Sequence, residues 1–308
     1  MTGTRFAHFT DLHLPAPAPP GLRDLLGKRA LGHLSWQSKR QWRHALSALE
    51  ALAEDRRRQQ CDIDIITGDV VNISLPSEFV AARKWLMEHF NSERTVLAPG
   101  NHDAYVRVRW ADGLGHFSAY MRGVRHDDPE PRPPQSAADF PFVRVVGDVC
   151  FIVLNSAAPT GPGLATGRLG AAQLARLRQE LTSAADAGLC RVIALHHPVA
   201  KGVVSRRKGL DDGPALRALL AETGAELVIH GHAHRPTWSV VETPRGPRPA
   251  VGGGSASHSH GFGHYTPARY TLFSIARAPD GGWRIGAIVR QLDPADRTVK
   301  TVEERRLL

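Results

Sequence analysis

The chain contains little cysteine, with only Cys61, Cys150 and Cys190 among its 308 residues. The three lie far apart and beside apolar runs, a pattern that fits neither a disulfide framework nor a zinc knuckle. We therefore expect reduced thiols buried in the core. A chain of this length can bury enough apolar surface to fold without disulfides or an obligatory partner.

Long apolar runs are also missing. No stretch approaches the ~18 apolar residues of a membrane-spanning helix. The N-terminal residues MTGTRFAHFTDLH lack the basic segment, apolar stretch and cleavage site of an export signal. We therefore expect a cytoplasmic protein.

Acidic residues are outnumbered by basic ones, 30 against 39, which gives a formal net charge of +9. Such a balance favours an anionic partner: a phosphorylated substrate, nucleic acid or an acidic membrane surface. It also fits a surface that is merely well solvated. Charge alone does not choose among these interpretations.

Short strand-like runs alternate with amphipathic helical segments along the first 235 residues. Helices are predicted over about 38–60, 77–90, 169–187 and 214–223. The strand-like runs are RFAHFT, CDIDIIT, RTVLAP, CRVIALHHP and ELVIHGHAH. This alternation predicts an α/β protein with parallel strand pairs, and the remaining residues favour antiparallel strands closing a second sheet.

Two segments interrupt this single predicted domain of residues 1–308. The first, at about 15–40, is basic and contains tryptophan. The second, at about 104–138, is rich in proline and arginine and predicts a long surface loop or lid.

Polar residues follow five of the predicted strands. They are Asp11 with His13, Asp69, Asn101 with His102, His196 with His197, and His232 with His234. Each of these groups alone is weak evidence for a functional site, because a histidine at a strand end more often has a structural role. Together they are informative, because ligands of α/β sheets bind beyond the carboxyl ends of the strands, where distant residues converge.

The donor types predict a metal site. Imidazole, carboxylate and amide donors without a thiolate suit Mn, Fe or Zn. Seven donors are too many for one ion, so two ions about 3.5–4 Å apart are expected, with a carboxylate such as Asp69 bridging them.

The motifs in which these residues occur resemble those of calcineurin-like metallophosphoesterases, in order and over about the first 235 residues. They are DxH from Asp11, GDxxN from Gly68, GNHD from Gly100, HxP from His196 and GHxH from Gly231. The resemblance implies a four-layer α/β/β/α sandwich of two mixed sheets. It also implies that one metal takes Asp11, His13, Asp69 and His234, and that the other takes Asp69, Asn101, His196 and His232.

The same resemblance implies phosphoester hydrolysis, in which metal-activated hydroxide attacks phosphorus in line. His102 resembles the histidine that stabilises or protonates the leaving oxygen. Asp103 is a candidate acceptor that would orient the His102 ring. Asn72, His197 and Arg235, which adjoin the motifs, are candidate substrate contacts.

For the substrate, class III cyclic-nucleotide phosphodiesterase-like enzymes match best, which favours a phosphodiesterase. UDP-2,3-diacylglucosamine pyrophosphatases are the alternative, although one branch has arginine in the position of His102. Basic and apolar residues mixed in the first insertion suit an acyl-chain cap or peripheral contact with an anionic inner membrane face. They equally suit a helix that packs its tryptophans inward.

Two further segments leave alternatives open. The basic loop from Lys201 to Lys208 suits either phosphate binding or plain solvation. The glycine-rich segment near the end contains His258, His260 and His264, for which we expect no metal, and its Ser255 or Ser257 could approach the substrate.

Two other functions are less favoured. A nuclease would show an extended basic and aromatic track, and none stands out, so nucleic acid is not the expected partner. A non-catalytic metal-binding scaffold should have lost ligands, whereas all seven are present with His102. The oligomeric state does not follow from the sequence.

Overall fold

The computed structural model describes residues 3–21, 23–25, 27–124 and 132–308. Within these ranges the helices are α1 (Lys28–Ser35), α2 (Leu46–Arg57), α3 (Pro76–His89), α4 (Ala171–Asp186) and α5 (Gly213–Thr223). The strands are β1 (Thr4–Phe9), β2 (Ile63–Ile66), β3 (Thr95–Leu97), β4 (Phe142–Val146), β5 (Val149–Val153), β6 (Cys190–Ala194), β7 (Leu227–His230), β8 (Thr237–Val241), β9 (Arg248–Gly252), β10 (Arg269–Arg277), β11 (Trp283–Leu292) and β12 (Val299–Arg306). Short helical turns lie at Trp36–Arg40, Trp110–Asp112, Leu114–Tyr120, Ala137–Asp139 and Arg206–Lys208.

The strands form two mixed six-stranded sheets. Their orders are β12-β11-β10-β1-β2-β3 and β4-β5-β6-β7-β9-β8. In the first sheet β1, β2 and β3 run parallel. In the second, β5, β6, β7 and β9 run parallel. The carboxyl ends of these strands form the edge from which the predicted site residues emerge.

Alternation along the strands builds the layers. Phe6 of β1 meets Phe151 of β5 between the sheets, with ring centroids 5.1 Å apart. The next residue, Ile152, faces the other way and is buried with Leu177 and Leu181 of α4. On the far side, α2 packs against β11 and β12 of the first sheet. Helix, sheet, sheet and helix therefore stack as the predicted four-layer sandwich.

The described chain departs from the predicted elements in two places. The helix predicted from about residue 38 begins only at Leu46, because His44 forms an extended antiparallel bridge with His258. Trp42, expected on the core face of that helix, is 73% exposed. The last strands do not all close the second sheet: β8 and β9 join it, but β10, β11 and the unpredicted β12 extend the first.

The two predicted insertions differ in how they are held. In the first, Arg29 donates hydrogen bonds to the carbonyls of Ile73 and Ser74, which ties α1 to the loop after β2. In the second, Phe117 and Tyr120 are buried and anchor the described part. Residues 125–131, part of the predicted lid, lie outside the described residues.

The three cysteines are buried and unpaired, as expected. Across the described residues, no helix is long and apolar enough to cross a membrane.

Candidate metal centre

The seven predicted metal-ligating residues converge where the carboxyl edges of the two sheets meet. The first sheet supplies Asp11, His13, Asp69 and Asn101, and the second supplies His196, His232 and His234. Hydrogen bonds join the two halves: the His232 amide donates to Asp11 Oδ2 at 3.0 Å, and His196 Nδ1 donates to the Thr67 carbonyl at 2.7 Å. The site therefore depends on both sheets.

Each carboxylate divides its two oxygens between different tasks. Asp69 Oδ1 accepts the His102 amide at 2.7 Å, and Asp11 Oδ2 accepts the Thr10 hydroxyl at 2.8 Å. The other oxygens, Asp69 Oδ2 and Asp11 Oδ1, are buried and receive neither an amide nor a hydroxyl hydrogen bond. Buried carboxylate oxygens need a donor or a cation, and these two face imidazole nitrogens instead of amides or hydroxyls, an arrangement that suits a metal ion.

These two oxygens face imidazole nitrogens. Asp11 Oδ1 lies 3.1 Å from His234 Nε2, which is itself 3.2 Å from His13 Nε2. Asp69 Oδ2 lies 3.3 Å from His196 Nε2 and 3.8 Å from His13 Nε2. Asp69 Oδ2 thus lies between a histidine of each predicted metal group.

The second group is equally compact. His196 Nε2 lies 3.1 Å from Asn101 Oδ1 and 3.2 Å from His232 Nδ1. Because His196 Nδ1 donates to the Thr67 carbonyl, Nε2 is the ring nitrogen that faces these neighbours.

The donor spacing fits metal binding. Atoms bound to one ion at about 2.0–2.2 Å lie about 3.3–3.6 Å apart across a tetrahedral edge. Asp11, His13, Asp69 and His234 form one group whose ligand atoms all lie within 4.8 Å of one another, and Asp69, His196 and His232 form another. These are groups that could hold two metal ions, and the identity of the ions stays open.

Protonation states also suit metal binding. Burial, followed by neighbouring histidines, lowers the pKa of His13 and His232 well below the usual value, so both rings are neutral at pH 7. Burial raises the pKa of Asp69, but the neighbouring histidines His196, His102 and His13 together outweigh burial and hold that pKa well below its usual range. For His196, burial lowers the pKa while Asp69 raises it to about 9. A metal ion would replace the proton that these two residues share.

Backbone strain is concentrated at this site. Among the described residues, seven other than glycine have positive φ, and five of them are predicted ligands. These five are Asp11, His13, Asp69, His232 and His234. Each such residue costs on the order of 1–3 kcal/mol, which a fold tolerates mainly where function requires the geometry.

Two glycines permit the strand exits to cross. A Cβ on Gly68, where φ is +80°, would lie 2.3 Å from the Gly100 amide nitrogen. A Cβ on Gly100 would lie 2.3 Å from the Asp69 amide nitrogen. The glycines of the two motifs therefore bring Asp69 and Asn101 together.

His102 lies against the predicted ligands and lines the cavity above them. Its Nδ1 donates to the Asn72 carbonyl, and its ring stacks on Tyr105 with centroids 5.5 Å apart. Lys28 of α1 also lies over the Tyr105 ring, with Nζ 4.3 Å from the ring centroid. The first insertion thus helps to fix the ring next to His102.

Asp103 does not orient His102 in the way the sequence suggested. Its carboxylate accepts hydrogen bonds from the backbone amides of Val70, Val71 and Gly100. Burial, together with nearby Asp69, raises the pKa of Asp103 to about 7 against the effect of these amides. The Asp103 carboxylate therefore stabilises the loops after β2 and β3, and the Asn72 carbonyl holds the His102 ring.

The three predicted substrate contacts are not among the described residues that line the cavity. The Asn72 side chain donates to the Leu14 carbonyl, and Arg235 donates to the Val203 carbonyl. His197 is fully buried; its Nδ1 lies 2.8 Å from Ser156 Oγ, and its ring packs behind His232. These side chains support the loops of the site from behind.

The cavity has a volume of about 220 Å³ and a lining that sequence motifs largely missed. Besides predicted site residues it is lined by Arg43, His44, Ala165, Lys208, Ala233, His258, Phe262 and Tyr265. Arg43 and His44 directly follow the first insertion, Lys208 ends the basic loop, and the last three residues lie in or directly after the glycine-rich segment. The available signal was weak: all three segments were noted, but nothing in their spacing indicated that they meet.

The glycine-rich segment supports the predicted ligands. His258 Nε2 lies 3.5 Å from His234 Nδ1, and Ser255 and Ser257 both donate to the Asp11 carbonyl. The two serines are buried, so they hold Asp11 rather than contact a substrate. His44 joins His13 and His234 in a third compact group. His260 and His264 are exposed and belong to none of the groups found among the described residues.

Comparisons with known proteins agree with this architecture. A family model described as calcineurin-like phosphoesterase matches residues 4–236. No curated protein sequence matches the chain. A dimetal phosphatase from Danio rerio is similar in structure, with a TM-score of 0.62 and 13% identity over 100% of this chain and 99% of that one.

Two larger structures are more distant. A 5′-nucleotidase precursor from Thermus thermophilus has a TM-score of 0.44 and 14% identity, over 98% of this chain and 53% of that one. The NAD nucleotidase of Haemophilus influenzae has a TM-score of 0.46 and 11% identity, over 97% of this chain and 60% of that one. The chain thus spans little more than half of either protein.

Proposed function

Because the chain belongs to the calcineurin-like phosphoesterase family, we propose that it is a phosphodiesterase that works with two transition-metal ions, Mn, Fe or Zn. The observation that supports the proposal is Asp69 Oδ2, a buried oxygen that receives no amide or hydroxyl hydrogen bond and lies between His13 and His196. One ion would be held by Asp11, His13, Asp69 and His234. The other would be held by Asp69, Asn101, His196 and His232.

The contacts suggest a role for the two ions and for each of the two catalytic candidates. When bound, the two ions would supply positive charge for the phosphoryl oxygens and lower the pKa of the attacking water. His102, held through Nδ1 by the Asn72 carbonyl, would as the imidazolium donate its Nε2 proton to the leaving oxygen and so become neutral. Asp103 would keep the surrounding loop in place through three amides.

A diester is preferred over a monoester because of the cavity wall. Phe262 and Tyr265 line the cavity beside the predicted ligands. A diester carries a second organic substituent, which such rings can cover, whereas a monoester has none.

The test is a substrate panel with Mn-loaded protein: bis-p-nitrophenyl phosphate, p-nitrophenyl phosphate, cyclic AMP and UDP-2,3-diacylglucosamine. We expect kcat/KM for a diester or the cyclic nucleotide to exceed that for the monoester by about tenfold or more, about 1.4 kcal/mol of transition-state discrimination. A preference for the monoester would contradict the proposal. Two-ion binding without turnover of any of the four would favour the scaffold.

Selective turnover of the lipid nucleotide would instead favour the pyrophosphatase alternative. What supports that alternative is the surface of the first insertion and the start of α2. Leu34 is 60% exposed and Trp42 is 73% exposed, and Leu31 and Leu46 are exposed as well. The interpretation in which both tryptophans pack inward therefore holds only for Trp36, which stacks on His44.

We also propose that this exposed apolar surface lets a cytoplasmic protein touch an anionic membrane peripherally. Lys28 and Arg29 do not contribute, because both are engaged within the protein. Co-sedimentation with phosphatidylglycerol vesicles should detect binding, and Leu34→Ser with Trp42→Ser should reduce the bound fraction severalfold. Met87→Ser, a matched exposed apolar residue on α3, should leave it unchanged. If the double variant binds vesicles as well as Met87→Ser does, the insertion has no role in membrane binding.

A further inference from the structure

The cavity contains a basic corner, Arg43 and Lys208, that hydrolysis of a single phosphoester does not require. Arg43 comes from the segment between α1 and α2, and Lys208 from the loop between β6 and α5. Both side chains line the cavity that also contains Asp69, Asn101 and His102. Two chain segments thus direct cations to the place where a substrate would lie.

Arg43 is held in place before any ligand binds. Its carbonyl accepts the Ser259 amide at 2.7 Å. Its guanidinium lies over the Phe262 ring, with Cζ 4.3 Å from the centroid, and Phe262 packs on Tyr265. A guanidinium fixed by stacking loses little conformational freedom on binding an anion.

The backbone around Lys208 is ordered in a similar way. The Lys208 amide donates to the Ser205 carbonyl at 2.9 Å. The preceding residue, Arg207, accepts a hydrogen bond from the amide of Ala165, which also lines the cavity. The loop that carries Lys208 is therefore fastened to the cavity wall.

Neither cation is neutralised by the protein. Within the part of the chain that the structure describes, no carboxylate or carbonyl accepts a hydrogen bond or ion pair from the side chain of Arg43 or Lys208. Asp69 is the one carboxylate among the described lining residues, and its open oxygen is turned toward the histidines. An anionic ligand would complete the charge balance of this corner.

We propose that Arg43 and Lys208 form a subsite for a second phosphate of the substrate, separate from the phosphoryl group that is hydrolysed. The assignment of the scissile group rests on the proposed function. The expected substrates are phosphodiesters or nucleotides that carry a further phosphate. The guanidinium can bind that phosphate in a bidentate manner, and the lysine adds a point charge.

The test measures binding by calorimetry in Mn²⁺, so that it does not depend on turnover. The ligands are thymidine 5′-phosphate, thymidine 3′,5′-bisphosphate and the non-hydrolysable α,β-methylene analogue of thymidine 5′-diphosphate. At least one of the two doubly phosphorylated ligands should bind about tenfold tighter than the monophosphate. Arg43→Met and Lys208→Met should each remove most of this advantage. Arg207→Met, which changes an exposed neighbour outside the cavity lining, should retain it.

Equal affinity of the unchanged protein for all three ligands would overturn the subsite, and so would an advantage that survives both substitutions. The outcomes for the proposed function are separate. If diesters are hydrolysed but the three ligands bind with equal affinity, only the subsite proposal is wrong. If a doubly phosphorylated ligand binds more tightly but no substrate of the panel is hydrolysed, the subsite proposal stands and the phosphodiesterase proposal is wrong.

Discussion

Asp69→Asn is expected to remove bound metal and hydrolysis together, with kcat reduced by about a thousandfold or more. The substitution is nearly isosteric. The amide oxygen can still accept the His102 amide, which Asp69 Oδ1 accepts at 2.7 Å. What is lost is the charged Oδ2 between His13 and His196, which no other carboxylate of the two groups replaces. The measurement is metal content by mass spectrometry beside diester turnover.

Asp64→Asn is the matched control, because it makes the same change at a buried carboxylate on β2, which leads to Asp69. Asp64 pairs with Arg56 rather than with the site. This variant should retain both ions and turnover, with folding checked by thermal unfolding. Two bound ions in Asp69→Asn would rule out Asp69 as a required ligand, and activity of the variant after chelation would rule out the two-metal mechanism.

The convergence of the seven predicted metal-ligating residues could be predicted because it depends on strand polarity. Asp11, Asp69 and Asn101 each follow a strand of one parallel group, and His196 and His232 follow strands of the other. Parallel strands bring their carboxyl ends to one edge whatever their order in the sheet. Each of these predicted strands is short and strongly apolar, so the residue at which it ends was easy to locate.

Side-chain direction was harder to predict than position. His197 follows His196, and successive residues of an extended chain point to opposite sides, so only one of them can join the group of Asp69 and His232. Applying that alternation would have placed His197 behind the site, where it packs on His232. At Asp11 and His13 the chain leaves this pattern, because both have positive φ. Aspartate and histidine adopt positive φ more often than most residues, but such residues are still uncommon, so this preference does not predict the geometry at a given position.

The cavity wall could not be predicted because its contacts are remote in sequence. Arg43 and His44 meet the segment around His258 through an antiparallel bridge across 214 positions. A single extended bridge leaves no periodic pattern in either segment. The same contact delays the start of α2, which explains why the helical pattern around Trp42 was misleading.

His102→Ala is expected to keep both ions while reducing turnover by about 10²–10⁴-fold for a diester with an alkoxide leaving group. The ring is not part of either compact ligand group. The backbone amide of residue 102, which holds Asp69 Oδ1, remains after the substitution. What disappears is the imidazole that the Asn72 carbonyl and Tyr105 hold beside the cavity. Steady-state kinetics with metal analysis measures both parts of the expectation.

The leaving group supplies the internal control for that substitution. p-Nitrophenolate leaves without help from an acid, so the loss for bis-p-nitrophenyl phosphate should be less than about tenfold. A purely structural role for His102 would slow both substrates alike, since a displaced loop affects binding of either. Equal losses would therefore remove His102 as the proton donor. A large loss of turnover for the alkyl ester alone would indicate that His102 protonates the leaving oxygen. The two substrates differ in the departure of the leaving group, which needs an acid only for the alkoxide.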